Sequence, residues 1–197
     1  MPNPRRLLLL LPLLVGCAST SITDTWRDPG YQGGHLKRVM VLGVFRQPTA
    51  RRTFEDIFAA KLRVTGIEAI PSYQMLGLET PPPEIALGEV TSRTGADGLV
   101  MVHLVRIDRQ VRVTPGYAPA MYPGFHGYYS AWVAYPDVYT YDIVSAEVNV
   151  FEAKTNRLVW GGMTETFNPQ NVSKESAGFA DVVIAALAKD GLVPAPK

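Results

Sequence analysis

The chain has 197 residues, a formal net charge of +1, 47% hydrophobic residues and 19% charged ones. Its basic and acidic residues are interspersed, which excludes the basic stripe of a nucleic-acid binder. A single cysteine, Cys17, excludes a disulfide framework.

The first element is a signal peptide over residues 1–16. Arg5 and Arg6 supply its positive start, Leu7 to Val15 its apolar run, and Gly16 and Ala18 the small flanks that cleavage requires. Leu14-Val15-Gly16-Cys17 reads as a lipobox, so that cutting leaves Cys17 as a lipidated N-terminus. The apolar run is about half the ~20 residues that cross hydrocarbon as a helix. That disfavours a retained transmembrane span; the other rival is a cleaved signal with an incidental cysteine. The arginine pair lacks the flanking residues of twin-arginine export, which leaves ordinary secretion. One acyl chain holds a protein only marginally, whereas the several chains of a bacterial lipoprotein hold it for good. In a Gram-negative host, Ala18 in place of Asp after the cysteine directs the product to the outer membrane, facing the periplasm.

Residues 17–34 read as the lipidated N-terminus and a polar, turn-rich tether, with Trp26 and Tyr31 expected to pin it to the body. Residues 35–197, roughly the length of one domain, read as a single unit. Lys37 to Phe45 is a near-continuous apolar run, the pattern of a strand buried on both faces. A helix follows to about Thr65, with Phe54, Ile57, Phe58 and Leu62 on one face, Thr49 or Thr53 as candidate caps, and Gly66 ending it. Ile67 to Ile70 is a short strand, and Pro83 to Thr94 a second helix stopped by Gly95. Leu99 to Val105 reads as another buried strand. It then alternates, placing Val105, Ile107, Val111 and Val113 on a covered face and Arg106, Asp108, Gln110 and Arg112 on a wet one.

Residues 114–137 are different. Proline and glycine punctuate a crowd of aromatics, and a stretch of about twenty such residues inside a domain is often functional. Tyr117, Tyr122, Phe125, His126, Tyr128, Tyr129, Trp132 and Tyr135 are the candidate partner-binding residues, because Tyr and Trp join a large apolar body to a polar tip. Such a stretch suits a protein surface, a glycan or bilayer headgroups; it also suits simple packing over a sheet edge. Beyond it, Tyr139 to Phe151 and Leu158 to Phe167 form a hairpin turning at Asn156, and Ser173 to Asp190 gives a helix stopped by Gly191. The order β-α-β-α-β-β-β-α predicts an α/β (α+β) fold, one mixed sheet of about five strands with helices packed on it, the first three strands parallel.

The chemistry-bearing residues are sparse. His35, His103 and His126 stand at no metal-ligand spacing, so neither a metal nor another cofactor is expected. His103 interrupts an apolar strand and reads as a hydrogen-bonded strand residue. No nucleophile elbow is present, and Asp97 has no evident acid–base partner. The expectation is a non-enzymatic protein.

Several segments carry a resemblance: the lipobox, Thr25-Trp26-Arg27-Asp28-Pro29, Arg51-Arg52-Thr53-Phe54-Glu55-Asp56, Ile70-Pro71-Ser72-Tyr73, Gly95-Ala96-Asp97-Gly98, and Phe151-Glu152-Ala153-Lys154-Thr155-Asn156-Arg157-Leu158-Val159-Trp160. In this order the chain resembles a family of uncharacterised bacterial lipoproteins built on a domain of unknown function. At fold level it also looks like the small lipoprotein domains that activate cell-wall synthases or assist curli secretion. The resemblance implies an outer-membrane-anchored α/β domain working through contacts with an envelope protein, and it brings no catalytic residues. A peptidoglycan, glycan or small-ligand module using the aromatic stretch is the alternative.

Overall fold

The computed structural model describes residues 20–78, 84–114 and 137–195, with side chains at all of these except 84–88, 113–114 and 137–138. The elements run β1 (Thr20–Arg27), β2 (Arg38–Val44), α1 (Pro48–Val64), β3 (Glu68–Pro71), α2 (Tyr73–Leu76), α3 (Glu84–Thr94), β4 (Gly98–Thr114), β5 (Asp137–Glu152), β6 (Arg157–Phe167) and α4 (Val172–Lys189). They form a six-stranded mixed sheet in the order β1-β6-β5-β4-β2-β3, with helices packed against it. As expected, β2 pairs in parallel with both β3 and β4, and β5 and β6 add an antiparallel hairpin.

β2 is buried on both faces. Val39 and Val41 point into a core shared with Phe54, Phe58, Ala59 and Leu62 of α1 and Phe179, Val183 and Leu187 of α4. Met40 and Leu42 point the other way, into a smaller cluster with Val90 of α3, Leu99 of β4 and partly buried Leu76 of α2. Each large apolar side chain so buried contributes about 1.5–3 kcal/mol. Gly66, Gly95 and Gly191 all take positive φ where their helices end, and Asn156 turns the hairpin at φ 52°. α1 begins earlier than either expected cap: Gln47 is its N-cap and Pro48 occupies the first turn, which needs no amide donor there. α4 is capped by Asn171, whose side chain accepts from the Lys174 amide at 3.1 Å.

Two expectations are corrected. The sheet has six strands because Thr20–Arg27, read as tether, is an edge strand antiparallel to β6. Its side chains are nearly all exposed, so burial imposes no apolar alternation on it. Trp26 is 48% exposed rather than pinned, while Tyr31 does pack against the core. Further on, a bulge at Val105 interrupts the β4–β5 register between Leu104 and Arg106. An extra residue reverses the alternation, so Ile107 and Val111 share a face with Leu104 rather than with Val105. Ile107 is 61% and Val111 62% exposed; among the described residues, nothing covers the face expected to be buried.

β4 and β5 outrun their neighbours. β2 stops opposite His103 and β6 stops opposite Ile143, while β4 and β5 stay paired to Thr114 and Asp137. The result is a two-stranded ribbon projecting from one end of the sheet, with the two ends of the aromatic stretch at its tip.

Candidate functional site

Apart from the lipobox, which lies outside the described residues, the segments that carry the resemblance serve as fastenings of the fold. On α1, Arg51 and Glu55 are one turn apart and both fully buried. Glu55 Oε1 accepts from the Gly43 amide at 3.0 Å, from Arg51 Nε at 2.8 Å and from Ser72 Oγ at 2.8 Å; Oε2 accepts from the Tyr73 amide at 2.9 Å. Arg51 Nη2 also donates to Ser72 Oγ at 2.9 Å. One carboxylate thereby ties the end of β2, the start of α1 and the turn after β3. The Tyr73 hydroxyl donates to Asp56 at 2.7 Å, and the Arg52 guanidinium lies 5.5 Å from the Tyr73 ring centre. The carboxyl ends of parallel strands are where open α/β sheets bind ligands, yet here the charged groups are taken up by one another and by backbone.

Asp97 is occupied likewise. Its carboxylate accepts from the Lys37 and Arg38 amides at 2.8 and 2.9 Å. Its own amide donates to the Arg38 carbonyl, and its carbonyl accepts from Ala153. The residue weighed as a catalytic acid therefore holds the start of β2 to the β5–β6 hairpin. Beside it opens a recess of about 410 Å³ lined by Tyr31, His35, Asp97, Glu152 and Lys154 among others. Burial pushes the Tyr31 hydroxyl above its usual range, and the Glu152 and Asp97 carboxylates push it the same way.

At the hairpin's outer side, buried Asp28 accepts from the Gly30 amide at 2.8 Å and pairs with Arg157. The Gly30 hydrogen bond is the main cause holding its carboxyl below the usual range; burial opposes it and Arg157 assists. A lowered native value means that the stabilisation is complete above the ordinary aspartate value of about 4 and is lost as pH falls through the lowered one. Acid should therefore weaken the β1–β6 corner, and Asp28→Asn should flatten that part of the stability–pH curve. Thermal unfolding from neutral to acid pH checks this; equal acid slopes for both proteins would refute it.

A second hollow of about 250 Å³ lies between the two bulged residues Thr23 and Val105, with Arg106, Ser145 and Glu165 on its walls. The Ser145 hydroxyl there is buried without a partner among the described residues. His103 contacts Glu147 at 3.4 Å across β4 and β5. His35 lies in the first recess, well away from His103. No cluster of three or more potential metal ligands occurs among the described residues. Cys17 and the candidate contact residues Tyr117, Tyr122, Phe125, His126, Tyr128, Tyr129, Trp132 and Tyr135 lie outside the described residues.

No protein-family model matches the chain, and no curated protein matches it. Among solved structures, a PelC dodecamer from Paraburkholderia phytofirmans aligns with a TM-score of 0.47 at 14% identity, over 88% of this chain and 98% of that one. Lipoprotein GNA1162 from Neisseria meningitidis aligns with a TM-score of 0.42 at 14% identity, over 78% of this chain and 96% of that one. A PDZ domain protein from Parabacteroides distasonis gives 0.43 at 10% identity, over 87% of this chain and 37% of that one. Likenesses this distant carry no conclusion about binding, assembly or activity.

Proposed function

We propose that this chain is a non-enzymatic lipoprotein of the outer membrane, held by acyl chains on Cys17 and acting by binding an envelope protein from the periplasmic side. The observation that supports binding is the β4–β5 ribbon. It leaves the packed body, exposes Ile107 and Val111, and holds both ends of the aromatic stretch at its tip. Contiguous exposed apolar surface marks interaction sites, and these two side chains would extend the aromatic stretch's contact surface. The carboxylates best placed for chemistry, Glu55 and Asp97, are already engaged by neighbours within the fold. No helix among the described residues is long and apolar enough to cross a membrane. The family of uncharacterised lipoproteins that the chain resembles fits the same role.

Photo-crosslinking probes at Tyr122 and Tyr129 in intact envelopes should give a single strong protein adduct, and deleting residues 115–136 should abolish it while the body stays folded. A body that unfolds on deletion would make the stretch structural and remove this support. Retention of the purified protein on isolated peptidoglycan would favour the glycan-binding alternative. Cys17→Ser should release the protein from the membrane fraction; continued sedimentation with membranes would refute the lipid anchor.

A further inference from the structure

The structure fixes which end of the sheet the chain's start emerges from. Thr20, the first residue of β1, is opposite Thr166 of β6; Thr166 is opposite Val144 of β5, and Val144 is opposite Ile107 of β4. This row crosses the sheet where the ribbon begins. From it β1 runs away from the ribbon to Arg27, alongside the packed body. Thr20, to which Cys17 is joined through two residues, and the root of the ribbon toward Thr114 therefore lie at the same end of the body.

We infer that this ribbon end lies against the bilayer that holds the lipid on Cys17. The inference rests on the anchor proposed above, and it narrows where a partner is met: at the membrane surface.

The argument is one of reach. From Cys17 to Thr20 the chain spans at most about 11 Å when fully extended. β1, from Thr20 to Arg27, extends about 24 Å along the body in the direction away from the ribbon. Were the ribbon to point into the periplasm, those 24 Å of packed sheet would have to fit between Thr20 and the lipid surface. The chain is too short to allow it. The ribbon itself runs about another 24 Å beyond Thr20's row. Standing upright toward the membrane it would outrun the available slack and drive its charges into hydrocarbon, so it must lean along the headgroup layer.

The described side chains suit that position. Ile107 and Val111, on one face of the ribbon, are 61% and 62% exposed, apolar bodies at a depth where headgroups give way to acyl chains. Arg106 pairs with Asp108 at 2.7 Å and Arg109 with Asp142 at 3.0 Å, while Arg112 has no acidic partner among the described residues. In number, Arg106, Arg109 and Arg112 are matched by Asp108, Asp137 and Asp142, so the ribbon carries no net charge and its placement rests on reach and on its exposed apolar side chains.

The test uses the full-length lipidated protein in vesicles of phosphatidylethanolamine and phosphatidylglycerol. Once Cys17 is acylated the chain has no free thiol, so one introduced cysteine takes a fluorophore alone. Two exposed sites are compared: Arg112→Cys on the ribbon and Lys154→Cys in the hairpin at the far end of the sheet. Headgroup-labelled quencher lipids should quench the label at position 112 several-fold more than that at 154. Equal quenching, or stronger quenching at 154, would overturn the inference. A protein whose mass lacks the acyl chains would instead overturn the anchor reading on which it rests, and mass spectrometry separates the two failures.

Discussion

Replacing Glu55 with alanine should cost the fold about 3–5 kcal/mol, the loss expected when one half of a buried ion pair is removed. The substitution strands the Arg51 charge inside the protein and takes the shared acceptor from the Gly43 and Tyr73 amides and the Ser72 hydroxyl. Native stabilities run to about 5–15 kcal/mol in all, so one side chain accounts for a large share. Removing both charges together, as Arg51→Met with Glu55→Leu, should cost less than Glu55→Ala alone. The stranded charge is then gone, although the two amides and Ser72 still lack their acceptor. Urea unfolding of the single and double variants decides the matter. A Glu55→Ala protein within about 1 kcal/mol of the parent, an ordinary mutational effect, would show that the carboxylate does not close the structure.

Trp160→Ala should be comparably severe, at about 3–5 kcal/mol. The indole is fully buried in the main core, and its Nε1 donates to Asp190 Oδ2 at 2.7 Å, fastening the last strand to the end of α4. Gly162 gives the ring its room: a Cβ there would overlap the six-membered ring. Trp160→Phe should keep most of the packing and lose mainly the hydrogen bond, worth about 1 kcal/mol. The two denaturation midpoints, measured side by side, separate the packing contribution from the polar one. Equal losses in the two variants would mean that the hydrogen bond, not the core volume, holds this strand.

The contrast between these two residues shows what a sequence reveals and what it conceals. A strand buried on both faces, such as β2, prints a solid apolar run, and the stripe of α1 prints a period near four. Positive φ prints glycine at the helix ends and asparagine in the hairpin. Those elements were legible because solvent exclusion or backbone strain selects residue type directly. β1 was not legible, because an exposed edge strand needs only backbone partners, and those are supplied from the far end of the chain. The bulge at Val105 was missed for a related reason: one inserted residue leaves composition unchanged while exchanging the faces. Arg51 and Glu55 did leave a trace, two opposite charges one turn apart on the apolar stripe of α1. The proposed contact stretch was legible as composition, proline and glycine among aromatics, but composition alone assigns no geometry to it.

The distance between β1 and its partner has a temporal meaning. Thr20 and Thr166 share a side-chain hydrogen bond across 146 residues of chain. A protein exported start-first delivers Thr20–Arg27 early and β6 near the end, so β1 cannot be paired until almost the whole chain has crossed. Contacts of such high sequence separation carry the largest loop-closure entropy and slow folding most. In the meantime β2, α1 and β3, close neighbours in sequence, have their partners at hand. A lipid attached to the first residue would fix that waiting strand to the membrane while the rest arrives. On the proposed export route, the first strand of the chain is among the last to find its place in the sheet.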